Sequence, residues 1–349
     1  LKMKKMILED DMNTKRVDIS ILRIMATLAV IFLHTNNTIL NNTQNYQLSS
    51  ENKFLMSVNI SIMNWAVPMF LIITGALLLN KEIQMNLMVS KYIKRIVIAL
   101  FLFGIPYAIM ELYMDTRQLS ADMIIKSIVK VVEGNSWGHL WYLYALIGIY
   151  IILPFIKIVL NNTDKNTHKI ILIILFLFNF CKGFIEKIIG ISIAFNIPIM
   201  TYTVFYVITG YYLVNNKFKI EKNKKILGGI LIAEIITIVI MNLMLKDALS
   251  YLSYDSPIIA FLAVTLFLIL KDFKFNEYNW LWEIDRLCFC VYLIHPVFIN
   301  FMYKFIKITP LNIKIIPIGI VMFFLIFVIV SFMSSWILNK IPILRKNVL

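Results

Sequence analysis

The chain has 349 residues, of which 60% are hydrophobic and 15% are charged, and its mean hydropathy is +0.80. Soluble globular domains are about half apolar and about a quarter charged, so this composition excludes an ordinary soluble domain and indicates a polytopic membrane protein. The net charge of +14 would suit a nucleic-acid-binding protein, but the basic residues flank apolar runs. They therefore indicate lipid contact and membrane orientation, and we expect no nucleic-acid partner.

Apolar stretches near the ~20 residues that cross a bilayer predict an all-α protein with about ten transmembrane helices. The predicted spans are 18–37, 58–79, 96–114, 139–160, 169–185, 197–214, 226–245, 255–271, 287–305 and 315–338. The fifth and sixth are the weakest, because they are short or broken by Asn179, Gly190 and Pro198. The first lacks a small-residue cleavage site and is followed by further spans, so we do not expect a signal peptide.

Lys and Arg residues are concentrated in alternate connecting segments, which predicts that both ends of the chain lie in the cytoplasm. We expect a cytoplasmic tail over 1–17, a single transmembrane domain over 18–340 and a second cytoplasmic tail over 341–349. Segment 81–95 is predicted to form a cytoplasmic surface helix that leads into the third span.

The first predicted span contains the stretch RIMATLAVIFLH, which Arg23 opens and His34 closes. On an α-helix His34 returns to within about 20° of Arg23 and lies about 16 Å further along the axis. Arginine suits a phosphate and histidine suits proton transfer, so the pair would fit the two ends of an acyl-coenzyme A. The alternative is that Arg23 reaches the membrane interface and His34 is a hydrogen-bonded histidine of the bundle.

Two features of the third span extend this hypothesis. Lys94 and Arg95 form a basic cluster at its cytoplasmic start, which suits either positive-inside anchoring or a coenzyme A phosphate site. Glu111 lies about 15 residues further on, at a depth similar to that of His34. A carboxylate there would orient the imidazole of His34, unless it is simply an acid at the membrane interface.

The segment NSWGHLWYLY, 135–144, begins the fourth span. Trp141 and Tyr142 are typical of an interfacial aromatic belt, and together with His139 they would also suit the binding of a sugar acceptor. His295, in VYLIHP, either lines the interior or marks a kink caused by Pro296. Glu234 lies in the middle of the seventh span and needs a partner that the sequence does not name.

Several familiar motifs are absent from the sequence. It contains no GxSxG, P-loop or GxGxxG motif and no zinc-ligand spacing, so we expect neither a serine nucleophile nor a metal site. The three cysteines lie in apolar runs and imply no disulfide framework.

Six segments, in their order along the chain, resemble the membrane acyltransferase-3 family. They are RIMATLAVIFLH (23–34), VPMFLIITGALLL (67–79), KRIVIALFLFGIPY (94–107), GHLWYLYALIGIYIILP (138–154), FYVITGYYL (205–213) and VYLIHP (291–296). The resemblance implies about ten helices and transfer of an acyl group, usually acetyl, from a cytoplasmic donor to a carbohydrate beyond the membrane. It also implies that His34 is the catalytic histidine, with Arg23 as its partner and Arg95 as a candidate donor-site arginine.

Two positions depart from the family pattern. Many members carry an acid three residues before the first arginine, where this chain has Ser20, and carbohydrate-modifying members often carry one where it has Pro68. An acid that supports His34 must then come from elsewhere or be absent.

We therefore predict an acyltransferase of the bacterial cell membrane that transfers a group, expected to be acetyl, from acyl-CoA to a hydroxyl of an extracytoplasmic glycan or cell-envelope acceptor. The expected catalytic residues are His34, Arg23 and Glu111, with His34 as general base or, alternatively, as carrier of a transient acyl group. Acyl-CoA is expected as a substrate, with no permanently bound cofactor. The residues expected to hold the donor are Arg23, Lys94 and Arg95, and those on the acceptor side are His139, Trp141, Tyr142 and His295.

Two rival functions fit the same intramembrane residues. A transporter or flippase for a small polar solute or lipid-linked sugar would use Arg23, His34 and Glu234 equally well, although we find no internal repeat of the kind common in transporters. A membrane scaffold without catalysis is the third possibility, but it leaves Arg23 and His34 on one stripe unexplained.

Overall fold

A computed structural model describes residues 16–42, 46, 48–194, 201–273, 276 and 278–349. Every regular element in this part of the chain is helical, which confirms the all-α prediction. The α-helices of six residues or more in the described residues are α1 (Val17–Leu40), α2 (Ser50–Met63), α3 (Ala66–Leu78), α4 (Lys94–Thr116), α5 (Asp122–Val132), α6 (Trp141–Asn161), α7 (Lys165–Phe176), α8 (Lys182–Ile189), α9 (Tyr202–Asn215), α10 (Lys224–Met244), α11 (Pro257–Leu270), α12 (Asn279–Asn300), α13 (Ile316–Leu338) and α14 (Pro342–Asn347).

Eight helical runs in the described residues are long and apolar enough to cross a membrane. They are Val17–Leu40, Ser50–Leu78, Met85–Met114, Gly138–Asn161, Lys165–Ile189, Lys224–Met244, Asn279–Ile306 and Ile316–Leu338. Each overlaps a predicted span, although the runs that begin at Ser50, Met85 and Asn279 start 8, 11 and 8 residues before the predicted bounds. The other two predicted spans, 197–214 and 255–271, overlap α9 and α11, which have 14 residues each and are short for a crossing. Part of the former, 197–200, lies outside the described residues, so the count of ten stays a prediction, as does the orientation.

The helical pattern between spans differs from the prediction in two places. A helical turn begins at Met85 and continues through a π-helical segment, Met88–Ile93, directly into α4, so segment 81–95 does not form a separate surface helix. Helix α5 was not predicted, because its 11 residues are too few for a span-length search. Its buried side chains Met123, Ser127 and Val131 recur every four residues, and that face packs against α4.

Helices α3 and α9 cross at very short distance through two glycines. A Cβ atom on Gly75 would lie 1.8 Å from the carbonyl oxygen of Val207, and one on Gly210 would lie 1.9 Å from that of Ile72. Close backbone approach through small residues is a common way to pack helices in lipid, where the hydrophobic effect contributes little to helix association. This crossing explains why both segments, ITGALLL and ITGYYL, need a glycine at the same place.

Helix α1 occupies the centre of the bundle, where it contacts α2, α3, α11, α12 and α13. Two polar contacts join α1 to α12. Arg23 forms an ion pair with Asp285 near the start of both helices, and the His34 ring contacts the His295 ring about three turns later. Because residue numbers rise together along the two helices, α1 and α12 run parallel. This pair of helices positions the candidate site.

Candidate active site

Three of the four histidines meet near the end of α1. His34 lies on α1, His139 lies in the one-turn helix Gly138–Leu140 that precedes α6, and His295 lies on α12. The ring centroids are 5.2 Å apart for His34 and His295, 6.4 Å for His34 and His139, and 5.8 Å for His139 and His295. The fold therefore joins three imidazoles that are far apart in the sequence.

Backbone carbonyls orient two of these rings. The Nδ1 atom of His295 lies 3.0 Å from the carbonyl oxygen of Val291, and the Nε2 atom of His139 lies 3.3 Å from that of Leu293. Since a carbonyl oxygen only accepts, each of these nitrogens carries the hydrogen. In the neutral rings Nε2 of His295 and Nδ1 of His139 are then acceptors, and both are buried without a hydrogen-bond partner among the described residues.

Two tyrosines fix the surrounding backbone. The hydroxyl of Tyr107 donates to the Leu293 carbonyl at 2.6 Å, and that of Tyr292 donates to the carbonyl of His139. Pro296, inside α12, removes one backbone N–H donor and disturbs the preceding turn of the helix. His139 and α12 are thus fastened together beside a local break in helical hydrogen bonding.

A cavity of about 330 Å³ opens beside the imidazoles. His34 and His139 line it, and His34 is only half-buried, whereas His295 is fully buried and not part of the lining. The other side chains of the lining form an amide-rich edge at the end of α1 and an aromatic wall opposite. They include Asn37, Thr38, Asn41, Asn42, Trp137, Trp141, Tyr142, Tyr254 and Tyr292.

Trp141 and Tyr254 stack within the aromatic wall, with ring centroids 5.5 Å apart and an interplanar angle of 25°. Trp141, Tyr142 and His139 were all expected on the acceptor side, and the structure brings them to one cavity. Tyr254 and the amides of the cavity edge were not anticipated, because they lie in connecting segments or at a helix end.

The described residues that line this cavity include no carboxylate, and no group of His, Cys, Asp and Glu in the described part of the chain could hold a metal ion.

Arg23, at the opposite end of α1, is engaged in an ion pair. Its Nη1 atom lies 2.7 Å from both carboxylate oxygens of Asp285, and the hydroxyl of Ser20 donates to the same carboxylate at 2.8 Å. Ser20 stands at the position where the family resemblance implied an acid, and the acid that pairs with Arg23 comes from α12 instead.

Asp285 is a site residue that the sequence analysis missed, because it lies just before the predicted ninth span, 287–305. A recognisable signal exists nevertheless. Asp285 precedes His295 by ten residues on α12, and Arg23 precedes His34 by eleven on α1, so the two helices carry matched pairs at similar spacing.

The basic cluster of the third span lies near the same end of α12. The guanidinium of Arg95 lies 5.2 Å from the centroid of the Phe289 ring, and it donates to the carbonyl oxygens of Val348 and Leu349 at 2.5 Å each. Lys94 is exposed. The contacts of Arg95 with 348–349 were not expected, and its role in holding the donor stays a prediction.

Glu111 and Glu234 both line the protein interior. Glu111 belongs to a second cavity, of about 240 Å³, whose lining does not include His34, and its predicted role in orienting that histidine stays a prediction. Glu234 is buried and accepts a hydrogen bond at 2.9 Å from the hydroxyl of Thr265 on α11, the partner that the sequence did not name.

A comparison with protein families identifies the chain. A family model described as an acyltransferase domain, of the acyltransferase-3 type, matches residues 16–340, which is nearly the whole chain. Searches of curated proteins and of solved structures gave no significant match. The matched region includes both ends of α1 and all three clustered histidines. The chain therefore belongs to the acyltransferase-3 family and is a membrane acyltransferase that transfers groups other than aminoacyl groups.

Proposed function

We propose that the protein transfers an acyl group, expected to be acetyl, from cytoplasmic acyl-CoA to a hydroxyl of an extracytoplasmic glycan or cell-envelope acceptor. The observation that supports this proposal best is the half-buried His34 at the wall of the amide- and aromatic-lined cavity, between two oriented imidazoles. Amide side chains and aromatic rings around a proton acceptor suit the binding and deprotonation of a sugar hydroxyl.

His34 acts as the general base in this proposal. The acceptor oxygen attacks the thioester carbonyl carbon while its proton passes to the unprotonated nitrogen of His34. The carbon–sulfur bond then breaks, and the departing thiolate takes the proton from the imidazolium, which restores neutral His34. Proton transfer of this kind contributes about 10²–10⁴-fold to a rate.

The donor would enter from the other end of α1. The phosphates of acyl-CoA are held by Lys94, Arg95 and the outer side of the Arg23–Asp285 pair, and the thioester extends about 16 Å along α1 to His34. Arg23 keeps Asp285 as its partner throughout, so its charge is already balanced before the donor arrives.

The test is to replace His34→Gln and measure O-acetylation of the cell-envelope glycan in a strain that lacks the native gene. We expect at least an ~10²-fold loss. The matched control is His168→Gln, because His168 is the one histidine outside the cluster and contacts the Leu160 carbonyl and the Thr163 hydroxyl instead. Normal acetylation by well-expressed His34→Gln would overturn the proposal, as would an equal loss in both variants.

A further inference from the structure

The second cavity, of about 240 Å³, lies next to the histidine cavity but is distinct from it. Its lining includes Met110, Glu111, Met114, Trp137, Asn300 and Lys304. These residues come from the end of α4, from the segment before α6, and from the end of α12 with the π-helix Phe301–Ile306 that follows it. The cavity therefore lies at the same end of the bundle as the three imidazoles.

Trp137 and Asn300 line both cavities. The Trp137 ring is buried, its centroid lies 4.3 Å from that of Tyr107, and it lies 5.8 Å from that of His139. The Asn300 amide donates to the carbonyl oxygen of Pro296 at 2.8 Å, which fastens it to the turn that carries His295. The boundary between the two cavities is therefore packed against His139 and hydrogen-bonded to the turn that carries His295.

The lining of the second cavity combines opposite charges and an amide with apolar side chains, which are Trp137, Met110, Met114 and Phe305. Glu111 offers acceptors and Lys304 offers donors, and both side chains are half-buried. Charged groups make a poor surface for an acyl chain or a lipid tail, because burying them against hydrocarbon is costly. Donors, acceptors and an indole face without net charge are what a neutral, hydroxyl-rich ring requires.

The volume favours a small occupant. Sites for drug-sized ligands usually have about 300–1,000 Å³, so this cavity suits a single sugar unit. We propose that it binds the sugar adjacent to the one being acylated, so that the acceptor is an oligosaccharide or a polymer and not a free monosaccharide. The inference rests on the proposed function, since it assumes that the histidine cavity holds the reacting sugar.

The experiment compares acceptors of different length. The envelope polysaccharide of the host strain is deacetylated with mild alkali, hydrolysed and sorted into fragments of one, two and three sugar units. Wild-type protein in proteoliposomes is then assayed for transfer of labelled acetyl from acetyl-CoA to each fragment. One charge-assisted hydrogen bond changes binding by about tenfold, so we expect kcat/KM to rise at least about tenfold from one unit to two.

Two variants test whether the rise in kcat/KM from one sugar unit to two depends on the second cavity. Lys304→Gln removes the cation, and Met114→Trp fills space in the same lining. Each is expected to remove most of the gain from one unit to two while leaving kcat/KM for the single-unit acceptor unchanged. Lys314→Gln is the matched control, because Lys314 is exposed and is not part of the lining.

The outcomes separate this inference from the proposed function. If no fragment of any length is acetylated by the wild-type protein, the proposed function fails and the subsite with it. If the single-unit acceptor reacts as well as the longer ones, or if Lys304→Gln and Met114→Trp behave like Lys314→Gln, only the subsite is overturned.

Discussion

The polar side chains at the two ends of helix α1 differ in how fully they are paired. At one end Arg23 is paired with Asp285, whose two carboxylate oxygens both lie 2.7 Å from Nη1, and the Ser20 hydroxyl donates a hydrogen bond to the same carboxylate. At the other end, His34 faces a cavity, and each of its two imidazole neighbours has one buried nitrogen without a hydrogen-bond partner in the part of the chain that the structure describes. Both ends are matched by α12, so the difference does not arise from packing against different helices.

This difference indicates that the Arg23 end of α1 contributes mainly to stability and the His34 end mainly to activity. An ionisable group inside a membrane protein is costly unless it is paired, and a fully paired group contributes to the assembly of the helices. An incompletely paired set of buried groups beside a cavity is retained at a cost in stability and can exchange protons with a substrate. We therefore expect substitutions at the Arg23 end to change stability first and those at the histidine end to change activity first.

The largest effect on stability is expected from Asp285→Ala, which leaves Arg23 without its carboxylate. Removing one partner of a buried ion pair typically costs about 3–5 kcal/mol, and because Arg23 retains 29% side-chain exposure we expect about 3 kcal/mol. The double variant Arg23→Met, Asp285→Leu removes both charges, so it should recover at least half of the loss. Free energies of unfolding in detergent micelles measure both effects.

Glu283→Ala is the matched control, since Glu283 lies on the same helix and pairs with Arg286 at the surface. An exposed pair of this kind contributes little, so we expect a change within about 0.5 kcal/mol. Equal losses for Asp285→Ala and Glu283→Ala would contradict the distinction between the two ends of α1.

A smaller effect, mainly on activity, is expected from His295→Gln. His295 lies behind His34 and does not line the cavity, so we assign it a positioning role through the adjacent ring. We expect kcat to fall about 10–100-fold while KM for acyl-CoA stays within about twofold, because the donor binds elsewhere. The free energy of unfolding should fall by no more than about 1 kcal/mol, because the substitution removes the 3.0 Å hydrogen bond from Nδ1 to the Val291 carbonyl, whereas Nε2 has no partner to lose among the described residues.

Steady-state kinetics in proteoliposomes, with His168→Gln as the control, check this expectation. A rise in KM for acyl-CoA without a fall in kcat would assign His295 to donor binding. A large drop in stability together with proportional loss of activity would make its role purely structural.

Hydropathy and helical periodicity predicted the features that depend on neighbours in the sequence. The positions of eight membrane-length helices follow from apolar runs, and the stripe shared by Arg23 and His34 follows from the helical repeat. The aromatic segment around His139 was also recognised, because its composition is unusual within a short stretch. None of these inferences required knowledge of which helices pack together.

The parts that could not be predicted depend on contacts between distant segments. Arg23 and Asp285 are 262 residues apart, and the similar spacing of Arg23–His34 and Asp285–His295 can be interpreted only once α1 and α12 are known to pack in parallel. The second cavity likewise arises where three separate segments meet, so the sequence could not show that Glu111 lines it, and the role of Glu111 in orienting His34 stays a prediction. The Gly75 and Gly210 crossing is visible in the sequence only as two similar tripeptides, Ile-Thr-Gly, whose contact the fold reveals.

The smallest effect is expected from Ser20→Ala, which tests how closely the Arg23 end resembles that of relatives with an acid at this position. The substitution removes the 2.8 Å hydrogen bond to Asp285 but leaves the ion pair with Arg23 in place. Loss of one such bond should lower the free energy of unfolding by about 1 kcal/mol. The control is Ser331→Ala on α13, because that buried hydroxyl has no partner in the described part of the chain and its removal should cost nothing. A loss near 3 kcal/mol for Ser20→Ala would instead mean that the serine is required to hold Asp285 in place, which would make Ser20, and not Arg23, the group that positions this acid.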